Sequence, residues 1–195
     1  RFGSEQQKSQ FLRPMIDGRS TGTMALTEPH QGSTLADITT LARLQDDNSY
    51  LIRGQKIYIS NGDHDLSENI VHLVLARIEG APSGTRGISL FIVPKFLVNA
   101  DGTTGARNDV ALAGLLHKMG NRSATSTVLN FGENEGATGY LVGEPNHGLR
   151  YMFQMMNDLR IGVGLGASAL AYRGFLESLD YARGRPQGRL PSTKD

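Results

Sequence analysis

The sequence predicts an α+β chain in which a central β-barrel or sandwich is flanked by helices. Three observations carry this expectation. Residues 4–16 show helical spacing. From Thr21 to about Val142 the chain breaks into short β-compatible runs punctuated by turn signals. After Pro145 apolar residues recur at helical intervals again. The expected divisions are a helical tail over 1–19, a β domain over 20–143 and the opening of a second helical region over 144–195. Such a chain reads as a piece of a multidomain protein, and the lack of a starting Met agrees.

Taken in order, Ser4 and Gln7 have the spacing of a capping box, in which each side chain satisfies an orphan amide of the other. Phe11, Leu12, Met15 and Ile16 then form an apolar stripe that stops at Gly18. Strands are expected near 22–26, 38–44, 50–53, 55–60, 70–77, 87–93 and 126–131, joined through Asp46-Asp47-Asn48, 80–84 and 99–105. Strand spacing of this kind belongs to a barrel or sandwich. In the last segment Tyr151, Met152, Met155, Met156, Leu159, Leu165, Leu170, Phe175, Leu176 and Leu179 recur at helical intervals to about Arg183. That helix cannot bury its apolar residues against itself, so it needs partners outside this sequence.

Two strand ends stand out. Gly22 to Leu26 is apolar and ends at Thr27-Glu28-Pro29, where Pro29 fixes its own φ and keeps Glu28 out of the helical region. Gly32-Ser33 is expected to make a tight turn that gathers amides and hydroxyls. About thirty residues on, Lys56-Ile57-Tyr58-Ile59-Ser60 alternates along a strand that Asn61-Gly62 closes. Strict alternation puts Lys56, Tyr58 and Ser60 on one face and Ile57 and Ile59 on the other. An aromatic ring and a hydroxyl two residues apart can cover a planar heterocycle and hydrogen-bond its edge.

Composition excludes several classes. With 38% hydrophobic residues, 20% charged residues and a formal charge of +1, nothing favours nucleic acid or an anionic membrane as main partner. The chain has no cysteine, so it offers no disulfide, thiol nucleophile or thiolate ligand. No apolar run reaches the ~20 residues of a membrane-spanning helix, and a reducing cytoplasm is the expected setting. Gly162-Val163-Gly164-Leu165-Gly166-Ala167 nearly spells a dinucleotide fingerprint, but amphipathic helix precedes it where a strand is required. The Asn99-Ala100-Asp101-Gly102-Thr103 loop has its glycine misplaced for calcium and Val110 where a carboxylate is needed. Asp63-His64-Asp65 lacks a second ligand pair and reads as a solvated turn, so no metal site is expected.

In order, the motifs are Gly22-Thr23-Met24-Ala25-Leu26-Thr27-Glu28-Pro29 with Gly32-Ser33, then Gly54 through Gly62. His117-Lys118-Met119-Gly120-Asn121-Arg122-Ser123 follows, then Val142-Gly143-Glu144-Pro145-Asn146-His147-Gly148-Leu149. Met156-Asn157-Asp158-Leu159-Arg160 and Ala182-Arg183-Gly184-Arg185 complete the set. Over nearly its whole length the chain resembles the acyl-CoA dehydrogenase family. The long connection from Pro94 to Lys118 is similar to the larger members, among them the subgroup acting on 3-methylmercaptopropionyl-CoA.

The resemblance implies an N-terminal helical domain, a middle β domain and a C-terminal four-helix bundle, of which this chain holds the middle part and both borders. It implies non-covalent FAD and oxidation of an acyl-CoA thioester to the 2,3-enoyl product. Leu26 and Thr27 fall where the family binds the flavin pyrimidine edge, with Met24 in the same cofactor-binding set, Ser60 where a hydroxyl approaches flavin N5, and Tyr58 where an aromatic shields the ring. Ser33, Asn157 and Arg160 fall where the CoA chain is contacted, Asn157 standing where Asp is common. Arg185 matches an arginine that reaches the FAD pyrophosphate of a neighbouring subunit, although Pro186-Gln187-Gly188 replaces the usual following phenylalanine. The family's catalytic glutamate lies downstream in the bundle, so no catalytic residue is expected in this chain. Glu28 belongs to the turn, and Glu133, Glu135 and Glu144 are expected in loops. An electron-transfer flavoprotein or similar acceptor and a homodimer or homotetramer are further implications. A non-enzymatic relative that binds protein or nucleic acid, an acyl-CoA oxidase and a flavin-free β interaction module stay open as alternatives.

Overall fold

The computed structural model describes residues 1–188 and resolves into two compact units, the first Arg1–Met152, the second starting at Phe153. In the first unit, helix α1 (residues 5–16) opens with the expected capping box. The Gln7 amide donates to Ser4 Oγ at 3.1 Å, and the Ser4 amide donates to Gln7 Oε1 at 3.0 Å. Its middle, Lys8–Leu12, is a π-type turn. The predicted four-residue stripe is only half used. Phe11 is buried against Tyr140, with ring centroids 5.7 Å apart, and Met15 is half-buried, whereas Leu12 and Ile16 are exposed. The two pairs form separate rows about 100° apart on the helix, and the sheet surface beneath it covers one row.

Ten strands follow: β1 (Ser20–Ala25), β2 (Leu41–Leu44), β3 (Tyr50–Ser60), β4 (Asn69–Ile78), β5 (Ile88–Pro94), β6 (Phe96–Val98), β7 (Thr104–Arg107), β8 (Val110–Leu116), β9 (Ser126–Phe131) and β10 (Ala137–Leu141). Ladders run β4–β5–β10–β3, and β2 pairs with both β3 and β4. Those five strands therefore close into a ring, which is the barrel expected from sequence. β1 extends the sheet alongside β4 in parallel, while β9 and β8 extend it from the second half of β3. Ile52, Val74, Phe91, Val93, Leu129 and Phe131 fill the interior.

Several boundaries differ from the sequence reading. Residues 50–53 and 55–60 form one strand. At Gly54, β3 exchanges its β2 and β10 partners for β9, and a Cβ there would lie 2.5 Å from Thr40 Oγ1, so glycine is required by the close approach. The predicted strand 38–44 shrinks to Leu41–Leu44, because Thr39 and Thr40 turn their polar groups to Glu28. The connection from Pro94 to Lys118 contains β6, β7 and β8, and the predicted loop 99–105 overlaps the start of β7. Nor is Asp63 in a solvated turn. It pairs with Lys95 at 2.5 Å and Arg107 at 3.3 Å.

Helix α2 (Gly148–Gly184) begins in the first unit and makes up most of the second. Of its 37 residues only Gly148 and Met152 are buried, while Leu159, Ile161, Val163, Leu165, Leu170, Phe175 and Tyr181 are exposed. The segment 162–167 lies inside this unbroken helix, which rules out a strand-to-helix phosphate loop there.

A buried histidine ties β1 to β4. His72 Nδ1 lies 2.8 Å from Thr23 Oγ1, and the ring meets Phe131 edge-on at 5.7 Å. Burial pushes the imidazole down to about 3, the Asp63 carboxylate opposing. Because the folded value is depressed below the unfolded one, stability from the neutral ring is complete above about pH 6.5 and is lost as pH falls toward 3, at ~1.4 kcal/mol per unit. Urea unfolding at pH 6.5 and pH 4.5 should show the wild type losing roughly 2 kcal/mol more than His72→Gln across that interval. Equal losses in the two proteins would remove His72 from this account.

Candidate functional site

The two strand ends singled out in the sequence meet. β1 runs parallel to β4 as far as Ala25, and the chain beyond it crosses to β3, where the Ile57 amide donates to the Thr27 carbonyl at 2.9 Å. The turn then closes one step earlier than expected. Glu28 and Gln31 exchange backbone hydrogen bonds of 3.0 and 3.1 Å around Pro29-His30, leaving Gly32 and Ser33 exposed beyond the turn. Pro29 suits this geometry because it needs no donor and its φ is already set.

Strict alternation fails in β3. The β3–β9 register shifts between Lys56 and Ile59, and Tyr58 adopts a φ of +62°. This bulge inserts one residue, so Lys56 and Ile59 both point inward while Tyr58 and Ser60 point outward. Lys56 is therefore on the opposite side from Tyr58 and Ser60, which corrects the expectation that the three share a face. The aromatic–hydroxyl pair itself survives, with Tyr58 66% exposed. Asn61-Gly62 ends the strand as expected: the Asn61 amide donates to Thr125 O at 2.9 Å, and Asn61 Oδ1 accepts from the Thr125 amide at 3.1 Å.

Beneath the junction lies an interaction that sequence reasoning missed. Lys56 is completely buried, and its Nζ donates to Glu28 Oε1 and to the Leu26 carbonyl, both at 3.0 Å. Glu28, also buried, accepts from the amides of Thr39 and Thr40 at 2.7 and 3.0 Å and from their hydroxyls at 2.7 and 2.6 Å. Burial alone would raise the Glu28 carboxyl. The Lys56 ammonium, the Thr40 hydroxyl and the Thr39 groups outweigh it and hold the carboxyl down at about 2. Burial lowers Lys56 to about 8, Glu28 opposing. Both groups are thus charged at neutral pH. The sequence signal was a lysine heading the Ile57-Tyr58-Ile59 run of a strand, paired with a carboxylate fixed just before a proline.

Above this base, the hydroxyls of Thr27, Tyr58 and Ser60 are held by no protein partner among the described residues, and the Thr27 amide donates to no backbone carbonyl. The ammonium on the Leu26 carbonyl polarises the Leu26–Thr27 peptide and makes that amide a stronger donor. Met24 and Leu26, half-buried, lie along the same chain end. A set of outward donors beside an exposed aromatic ring fits the polar edge and the flat face of a flavin.

The remaining predicted residues do not join this group within the first unit. Ser33 is exposed past the turn. In the second unit, Arg160 donates to Asn157 Oδ1, one helical turn away, and lies over the Phe153 ring. Arg185, beyond the end of α2, donates to the Tyr181 hydroxyl at 2.5 Å and to Gln187 Oε1 at 3.1 Å.

A family model described as "Acyl-CoA dehydrogenase, middle domain" matches residues 23–133, a span that holds Met24, Leu26, Thr27, Ser33, Tyr58 and Ser60. The chain belongs to the acyl-CoA dehydrogenase family. It is 51% identical over 187 residues to 3-methylmercaptopropionyl-CoA dehydrogenase of Ruegeria pomeroyi, covering 96% of this chain and 31% of that protein. It is 44% identical to a butyryl-CoA dehydrogenase of Syntrophomonas wolfei, covering 94% of this chain and 31% of the relative. Among solved structures, an acyl-CoA dehydrogenase from Bacillus anthracis complexed with FAD aligns with a TM-score of 0.72 at 29% identity, covering 97% of this chain and 30% of that one. The chain thus spans about a third of the length of the curated acyl-CoA dehydrogenases described here.

The Lys56–Glu28 pair should behave as one unit. Lys56→Met leaves a buried carboxylate and Glu28→Gln a buried ammonium, so each should cost about 3–5 kcal/mol. The double variant should cost less than the sum by at least ~1 kcal/mol in a thermal-unfolding cycle. Additive losses would mean that the two groups do not stabilise each other.

Proposed function

We propose that the full-length protein containing this chain is an FAD-dependent acyl-CoA dehydrogenase that converts an acyl-CoA thioester to the 2,3-enoyl-CoA, with 3-methylmercaptopropionyl-CoA the first substrate to test. One observation carries the reading: the Thr27 end of β1 is hydrogen-bonded to the bulge of β3, so its donors lie beside the outward Tyr58 and Ser60. When bound, FAD supplies the two-electron oxidation chemistry that amino-acid side chains lack. This chain's task is to hold and orient it. Thr27 and Ser60 contact the ring edge, where fixed donors favour added negative charge. Tyr58 covers the ring, Leu26 lines its pyrimidine side, and Met24 belongs to the same cofactor-binding set. Ser33, Asn157 and Arg160 hold the CoA portion, and Arg185 provides a planar cation for a pyrophosphate.

Glu28 is not the base that removes the substrate's α-proton. Its carboxylate is buried, engaged by five donors and held at about 2. A carboxylate so stabilised has little proton affinity and no route to a substrate. The base then comes from outside this chain, in the helical region that completes the parent. An electron-transfer flavoprotein or similar acceptor, a homodimeric or homotetrameric assembly and a cytoplasmic setting belong to the same proposal.

The full-length protein should carry a flavin absorbance that bleaches when 3-methylmercaptopropionyl-CoA is added anaerobically. Thr27→Val and Ser60→Ala should each weaken FAD binding by roughly fivefold, the equivalent of ~1 kcal/mol per hydrogen bond. A protein that purifies without flavin and takes up none from added FAD would defeat the proposal, whereas rapid reoxidation by oxygen would turn it toward an oxidase.

A further inference from the structure

A second polar feature lies on the same face as Ser60. In the β9 ladder Ser60 is opposite Ser126, and Ser126 is opposite Leu116 of β8. Directly paired residues share a face. The other face is the core one, where Ile59 pairs with a buried Thr127 whose hydroxyl donates to the Ile59 carbonyl at 2.9 Å. Ser60, Ser126 and Leu116 therefore form one outward row. Beside it is a cavity of about 300 Å³ lined by Leu115, Leu116, His117, Lys118, Arg122, Thr125 and Ser126.

That lining holds three basic side chains and no carboxylate. The loop that carries them is braced internally. Lys118 Nζ donates to the Ala124 carbonyl, and Arg122 Nε donates to the Lys118 carbonyl at 3.0 Å. Arg122 is thus held through one nitrogen, while its two terminal nitrogens engage no protein acceptor among the described residues. The hydroxyls of Thr125 and Ser126 and the His117 ring are likewise uncommitted there. A guanidinium fixed at Nε, with its terminal donors free and hydroxyls alongside, suits a tetrahedral oxyanion. Neighbouring strands lie ~4.8 Å apart, so β8 is ~10 Å from β3 across the sheet. A five-carbon ribityl chain separates the ring of a flavin nucleotide from its first phosphate, and a spacing of this order suits it.

We propose that the pocket formed by His117, Arg122, Thr125 and Ser126 binds a phosphate group of the nucleotide whose ring rests on Thr27, Tyr58 and Ser60. The proposal rests on the flavin reading of that edge. Phosphates are carried by both FAD and acyl-CoA, and the same cationic fork would serve either. The test uses the full-length protein with Arg122→Gln, and with His117→Gln as a milder exposed variant should the first not fold. FAD and riboflavin dissociation constants are read by flavin fluorescence, and KM is compared for an acyl-CoA and the matching acyl-pantetheine.

If the pocket holds the FAD phosphates, Arg122→Gln weakens FAD about tenfold, less so at high salt, and leaves riboflavin unchanged. If FAD affinity is unchanged and KM instead rises about tenfold for acyl-CoA alone, the pocket holds CoA phosphates and the flavin assignment is overturned. His117→Gln moves the same quantity about threefold. Equal loss of FAD and riboflavin, or no change in any of the four, overturns the phosphate role and leaves Arg122 as a brace of its loop. A wild type that binds neither flavin nor thioester ends the enzyme reading instead. The pocket is then judged alone by inorganic pyrophosphate, whose binding must be present in the wild type and absent in Arg122→Gln.

Discussion

The buried pair between Lys56 and Glu28 is the constraint on which the site depends. Neither strand end has a reason to stay beside the other through apolar packing alone, because their outer faces are exposed and polar. The ion pair supplies that reason from below. A single ammonium reaches both Glu28 and the carbonyl of Leu26, two residues apart on the β1 side, while its own backbone belongs to β3. Burying a charge is costly, and Coulomb attraction repays it only when the remaining hydrogen-bonding capacity is filled. Here Thr39 and Thr40 fill it, which is why the chain after Leu35–Asp37 abandons its strand pattern until Leu41. A local irregularity in one segment thus follows from a charge placed in two others.

The same constraint explains how much could be read in advance. Turn residues and helix caps act locally, so the Ser4–Gln7 box, the break at Pro29 and the Asn61-Gly62 closure were all legible. Ser126–Phe131 was legible because its alternation is unbroken. β10 was not, since Ala137-Thr138-Gly139 carries little β-branched or aromatic character and becomes a strand only by filling the gap between β3 and β5. The pairing of residues about thirty positions apart was legible only in part. The two motifs announced an edge each, but the ammonium under them sits at a position where alternation predicted an outward side chain. A bulge is not encoded by periodicity, because it arises from the demands of two strands together.

The second unit shows the limit of the chain as a folding problem. An α2 bearing Leu159, Ile161, Val163, Leu165, Leu170 and Phe175 around its circumference has the composition of a helix surrounded by others. The predicted CoA contacts Asn157 and Arg160 and the predicted pyrophosphate contact Arg185 all lie on this unit. On the proposed reading, the β domain presents one wall of the flavin site, a wall that must hold its ring fixed.

Tyr58 is where the rigidity of the β wall is most visible. A tyrosine with a φ of +62° occupies a region that costs a non-glycine residue of order 1–3 kcal/mol, and most sequences avoid it. The strain is held by its neighbours: Lys56 and Ile59 are both anchored inside, and the two residues between them cannot alternate between two inward anchors without one of them bulging. Glycine at 58 would relieve the backbone, and it would also remove the ring. Since the side chain is two-thirds exposed, the core gains little from an aromatic at this position. What the tyrosine supplies lies outside the barrel, on the face shared with Ser60 and Ser126, where a flat ligand would replace water against it. The strained residue and the buried pair are therefore two parts of one device: the pair holds the bulge, and the bulge aims the ring.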